Sequence, residues 1–185
     1  MKRNLILPGL LLGVFTMSAQ SPAALAANEG IWQGYDGEWR YDSRLLLSLA
    51  DAIPADKYAW RPGAGVRSIS EILMHLAQSN YYLLSITGPQ MPRELERNDF
   101  ERTVVSKPEV LAYLRRSLAA VRTARAQLKP SDLERKVTVE GETATVDSMY
   151  LRIICHENEH MGQLIAYSRV NSIVPPWSAG VLLPK

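Results

Sequence analysis

Residues 156–160 read His-Glu-Asn-Glu-His, and the two imidazoles four residues apart are the feature most able to do chemistry. On a helix, positions i and i+4 lie about 40° apart, so both rings project from one turn and can share an ion. The H-E-x-x-H spelling is also that of zinc proteases, in which the glutamate is the general base. That reading fails on the sequence itself. A zincin needs a further protein ligand downstream, and residues 161–185 contain no Asp, Glu or His. The extended form H-E-x-x-H-x-x-G-x-x-H fails too, because Gly162 stands one residue early and no histidine follows it. Cys155-His156 likewise lacks the first cysteine of the C-x-x-C-H haem signature.

The third and last histidine of the chain is His75. Ile69, Ile72, Leu73 and Leu76 around it have helical spacing, and His75 sits at the border of that apolar stripe, looking into a cleft between helices. His156 and His160 share their face with Met149, Ile153, Gln163, Leu164 and Tyr167, so they project from an apolar stripe and not from a solvated side. Neutral imidazole is a good ligand for zinc, nickel or iron, and three protein ligands with an open position define a catalytic zinc site. One helical turn supplies only two of them, so the missing nitrogen has to be that of His75. The competing reading is three core histidines satisfied by hydrogen bonds.

Other groups near the pair are weighed on the same wheel. Glu157 and Glu159 fall to either flank, Glu157 about 80° from the mean direction of the histidines. They are candidate general bases, with a solvated-face role equally open. Gln163, one turn beyond His160, is a candidate to hydrogen-bond a ligand or a substrate, against ordinary packing. Trp60, Tyr81 and Tyr82 are placed to line the cleft or simply to fill core, and Cys155 reads as a small buried apolar residue.

These side chains must be held by helices. A first helix spans Trp39 to Ile53, with Leu45, Leu46, Leu49 and Ala52 on one face, and Pro54 ends it. Ser68-Ile69-Ser70-Glu71 has the capping-box form and opens a second helix that runs to about Thr87. Ser106-Lys107-Pro108-Glu109 repeats that spacing and opens a third, running to Leu128. Residues 137–142 form either a short hairpin or a loop. The fourth helix, Val146 to Val170, carries the histidine pair, and Pro175-Pro176 cannot continue it. Four amphipathic helices joined by two long crossing loops predict an all-α four-helix bundle, an architecture that builds metal sites from facing helices.

The N-terminus has the positive, apolar and small-residue order of a secretory signal: Met1-Lys2-Arg3, then Leu5 to Met17, then Ala24-Leu25-Ala26. The apolar run is shorter than the roughly 20 residues that span a bilayer, and no cysteine follows the cleavage site, so no stable membrane or lipid anchor is expected. The expected organisation is a signal peptide over 1–26 and one helical domain over 27–185, exported to the periplasm or secreted. Lys2 and Arg3 are two of the twenty-one basic residues, and residues 1–26 hold none of the nineteen acidic ones. The mature chain is therefore about neutral, which excludes the basic surface that nucleic acids require. A lone cysteine makes no internal disulfide.

Two blocks of the chain resemble a known family. Trp60-Arg61-Pro62-Gly63, Arg67-Ser68-Ile69, Glu71 and His75-Leu76 are similar to the first block of DinB-like (YfiT-like) proteins. Glu159 to Tyr167, then Arg169, Asn171, Ile173 and Pro175-Pro176, are similar to the second. The resemblance implies a four-helix bundle with a divalent metal ion, zinc or nickel before others, on one histidine of the second helix and an H-x-x-x-H pair of the fourth. His75, His156 and His160 match those positions. It also implies metal-dependent chemistry of hydrolase or thiol-dependent transferase type, although this chain departs from familiar members in carrying an export signal. The expected partner is a small-molecule substrate or ligand, with homodimerisation left open. The alternatives are a non-catalytic exported metal- or ligand-binding protein and a bundle with vestigial histidines.

Overall fold

The computed structural model describes residues 33–180. The expected signal peptide lies outside the described residues. Five helices and one hairpin follow in order: α1 Gly34–Ala52, α2 Ile69–Thr87, the single-turn α3 Phe100–Thr103, α4 Lys107–Ala126, β1 Lys136–Val139, β2 Glu142–Thr145 and α5 Val146–Val170. The four long helices form the expected bundle. α1 and α2 each pack against both α4 and α5, which puts α1 and α2 at opposite corners, while α3 lies on α2. Among the described residues no helix is long and apolar enough to cross a membrane.

α1 begins at Gly34, a turn earlier than the apolar pattern indicates, and its first two turns bury Gly37 and Trp39. It stops where Ile53, preceding Pro54, is driven to extended backbone (ψ 123°) by the proline ring. α2 starts at the expected capping box: Ser68 Oγ accepts from the Glu71 N–H at 3.3 Å, and Glu71 Oε2 accepts from the Ser68 N–H at 2.7 Å. The Trp60-Arg61 segment is tied to this cap. Ile69 N donates to Trp60 O at 3.1 Å, and the Arg61 guanidinium bonds Glu71 Oε1 at 3.0 Å and Val66 O at 2.8 Å. Burial pushes the Glu71 carboxyl up, but the Ser68 N–H and Arg61 outweigh it and hold the group below the usual carboxylate range. α2 ends at Gly88, whose φ of 133° is open to glycine and strained for other residues.

The expected capping box at Ser106 does not form. The Ser106 hydroxyl donates instead to the Glu109 carboxylate, and α4 ends at Ala126, short of Leu128. Residues 136–145 are a true hairpin, with Val139 opposite Glu142 and a two-residue turn in which Glu140 (φ 51°) and Gly141 (φ 84°) both have positive φ. This is the turn whose twist matches that of paired strands. The hairpin delivers the chain straight into α5: Thr145 ends β2 and caps the helix, its Oγ1 accepting from Ser148 N at 3.1 Å.

The core is filled from all four corners by Leu46 and Leu49, Ile72 and Leu76, Leu114 and Val121, and Ile153 and Leu164. Each contributes about 1.5–3 kcal/mol of apolar burial. Between Ile69 and Ala77 the only residue of α2 not fully buried is His75, so this helix is enclosed nearly all round and opens to solvent at the histidine.

Candidate metal centre

The bundle brings the three histidines together, His75 and His156 from 81 residues apart in the chain. His75 of α2 and His156 of α5 approach with their Nε2 atoms 3.2 Å apart, and His160 completes a cluster in which one nitrogen from each ring lies within 4.8 Å of the others. Ring centroids are 4.7–5.1 Å apart, with every pair of rings edge to face.

The outer nitrogens of His75 and His160 face polar groups. Glu101, on the single turn of α3, places Oε2 3.2 Å from His75 Nδ1 and accepts from Arg67 Nε at 3.0 Å. A carboxylate beside Nδ1 favours the tautomer of His75 with its proton there, which leaves the lone pair of Nε2 for the cluster. Gln163 Oε1 lies 3.0 Å from His160 Nδ1, and its Nε2 donates to the Tyr167 hydroxyl at 2.9 Å. Tyr167 is itself set by an edge contact from Trp60, with centroids 5.3 Å apart. The carboxamide is thus oriented with its oxygen toward His160, leaving Nε2 of that ring for the cluster. Burial, with Arg67 and His160 adding to it, pushes the His75 pKa down to about 4. Burial, then the two other histidines and Arg152, do the same for His156, also to about 4. Both rings are neutral at pH 7, the state that ligates a metal.

The donor set fits a divalent ion. Two imidazole nitrogens each about 2.0–2.1 Å from one tetrahedral ion stand about 3.3 Å apart, the separation seen between His75 and His156. His156 Nδ1 is buried with no hydrogen-bond partner among the described residues. A contact at that distance is an N–H···N hydrogen bond between the two rings or, equally, the span of two ligands of one shared cation. His75, His156 and His160 could therefore hold a metal ion.

The remaining expectations divide. Gln163 stands where the spacing puts it. Glu159 is exposed and paired with Arg152 at 2.7 Å. Glu157 is neither solvated nor near the cluster. It is fully buried beside Asp42 of α1, with both oxygens unpartnered among the described residues, and burial followed by Asp42 raises its pKa well above the usual range. α5 is flanked by α2 on one side and α1 on the other, so a residue a quarter turn from the histidines enters the second interface instead of solvent. Cys155, expected to be buried, is exposed, because it lies on the edge of α5 that neither neighbour covers.

A cleft of about 350 Å³ opens beside His75, lined by Gln78, Tyr82, Met91, Leu95, Glu96 and Asn98 among others. Tyr82 lines it; Tyr81 does not. Gln78 Nε2 bonds Leu95 O at 2.6 Å and Arg97 O at 3.1 Å, fastening the loop that forms the far wall to α2. Sequence reasoning missed Glu101 and Glu96, and placed Arg67 in the first family block without its link to Glu101. They lie in loops or on a single turn with no periodicity to place them.

Four long helices and a three-histidine cluster between two of them define the class: a helical-bundle protein with a candidate metal centre. The model of the DinB superfamily matches residues 38–164, more than half of the chain, and the chain belongs to that superfamily. Its fold is similar to that of a DinB-like protein from Bacillus cereus ATCC 10987 (TM-score 0.66, 18% identity, covering 83% of this chain and 96% of that one). It is also similar to the DinB-like protein YjoA from Bacillus subtilis (TM-score 0.56, 17% identity, covering 77% and 90%). A comparison with curated proteins gives no match.

Proposed function

We propose that this chain is an exported metal-dependent enzyme of hydrolase or transferase type, holding a divalent ion, zinc or nickel, on His75, His156 and His160. The observation that carries the reading is the pair of Nε2 atoms 3.2 Å apart on two different helices, with outer nitrogens held by Glu101 and, on His160, by Gln163. A metal ion bound there supplies Lewis acidity toward a carbonyl or phosphoryl group. The chain's own residues do the rest. Glu101 and Gln163 fix which nitrogens face the cluster. The cleft beside His75 receives a small substrate against Tyr82, Met91 and Leu95. Glu96, the carboxylate lining that cleft, takes the general-base role for which Glu157 and Glu159 were candidates, neither of which lines it.

Metal analysis of tag-free protein, followed by a turnover screen with ester and electrophilic substrates, tests the reading. Expected are one ion per chain in the wild type, none in His160→Ala, and turnover that falls in Glu96→Gln while its metal stays. Wild-type protein that binds no divalent ion defeats the reading. An ion without turnover leaves the alternative of a non-catalytic metal-binding protein.

A further inference from the structure

The positive groups around the histidine cluster are not equally satisfied. On the α5 flank the Arg152 fork is closed on Glu159, both Nη atoms donating to its carboxylate at 3.0 and 2.7 Å. In the loop that walls the cleft, Arg97 is closed on Asp99 at 3.1 and 3.0 Å. The remaining guanidiniums stand at the opposite end of His75 from the cleft, around the first turn of α2. Arg61 is occupied there by Glu71 Oε1 and Val66 O. Arg67 is bonded through Nε alone, to Glu101 Oε2, and both of its Nη atoms are without a partner among the described residues. Arg102, exposed on α3 and next in the chain to Glu101, forms no ion pair among the described residues. The carboxylate it bears on, Glu71, is already bonded to Arg61.

Arg67 is fixed by the same group that supports the cluster. Its Nε and His75 Nδ1 meet one oxygen, Glu101 Oε2, at 3.0 and 3.2 Å, so the guanidinium stands within two hydrogen-bond lengths of the ring. Its charge is among the causes that lower the His75 pKa, which is the mark of that proximity. A guanidinium gripped at Nε keeps its Nη pair as a fork that matches the two oxygens of a carboxylate or phosphate. Its side chain is 41% exposed, so an anion reaches it with no rearrangement of the fold. The cleft on the other side of His75 is the reverse environment, since Glu96 repels an anion while Tyr82, Met91 and Leu95 accept an apolar group. A molecule that reacts at the histidines is thus offered an apolar berth on one side and a charged one on the other.

We infer that Arg67, in the positive field of Arg102, anchors a carboxylate or phosphate of the substrate, so that the site takes anionic small molecules. The inference rests on the metal centre proposed above, and its test separates the two. Hydroxamates ligate a bound zinc ion directly. The monohydroxamates of succinic, glutaric and adipic acid are titrated calorimetrically into zinc-loaded protein, each beside the alkyl hydroxamate of the same length. The best-fitting acid should bind at least about fivefold more tightly than its alkyl twin. That gain should shrink in about 0.5 M salt, because the fork is part-exposed. Arg67→Gln, whose amide still donates to Glu101, should reduce the gain to about twofold or less while zinc content and alkyl affinity stay at wild-type values. Arg152→Gln removes a charge from the same surroundings and should keep the gain, since its fork is closed on Glu159. Zinc-loaded protein that binds no acid more tightly than its twin, keeps the gain in Arg67→Gln, or loses it equally in Arg152→Gln overturns the anchor and leaves the metal centre standing. Protein that takes up no zinc defeats the metal centre itself, and the anchor with it.

Discussion

Replacing Glu101 by alanine separates the support of the metal centre from its ligands. Glu101 Oε2 lies 3.2 Å from His75 Nδ1 and accepts a hydrogen bond from Arg67 Nε at 3.0 Å, with its side chain 14% exposed. Without it, nothing fixes which nitrogen of His75 faces His156, and the ring loses an acceptor that raises its basicity. Such supporting carboxylates are worth roughly 10–100-fold in metal affinity, or about 1.4–2.7 kcal/mol. The metal-free fold should barely notice. Arg67 is 41% exposed and returns to water, and a pair of that kind is worth about 0–1 kcal/mol, a shift of at most about 2–4 °C in a domain of this size. Competition against a chromophoric zinc chelator measures the affinity, and a melt of chelator-treated protein measures the fold. Glu101→Gln should fall between the two, because its amide oxygen still accepts from His75 but carries no charge. Wild-type affinity in Glu101→Ala refutes the reasoning, as does a loss of affinity matched by a large fall in metal-free stability.

Glu157→Gln should leave metal content unchanged, and at pH 8 it should melt above the wild type. The raised native pKa of Glu157 means that stability held in acid is lost as pH rises through it, and the amide does not ionise. Metal-free protein should lose stability as pH falls from about 6.5 toward 4, because unfolded histidines take up protons before native His75 and His156 do, whereas saturating metal should hold the melting temperature over more of that range. Leu46→Ala, at a fully buried position of α1, should cost about 2–5 kcal/mol in denaturant titration. N-terminal sequencing of exported material should begin at Ala27 or Asn28, and Met1 there would exclude cleavage of the signal.

What could be read in advance follows from what periodicity encodes. The capping box at Ser68 and the apolar spacing after it place α2 to the residue, and i, i+4 spacing puts His156 and His160 on one face whatever they meet. The start of α1 was obscured by Gly34 and Gly37, poor helix formers held there by the burial of Trp39. The hairpin stayed undecided because four-residue strands carry too few alternations to tell from a loop. Glu157 was misplaced because a helical wheel gives angles within a helix and says nothing of how many neighbours surround it. Glu101 was invisible because its role exists only once α3 folds onto α2.

The separation of His75 from His156 along the chain has a consequence for how the protein would acquire an ion at this cluster. No segment short enough to emerge or fold alone contains all three rings, so a metal ion cannot be picked up locally and carried along by a growing or unfolded chain. A three-histidine site would load only once α5 has docked on α2, and an ion bound there would act as a clasp on a finished fold. The identity of such an ion would then be settled where folding ends, by the ions available there as much as by the preferences of three imidazoles.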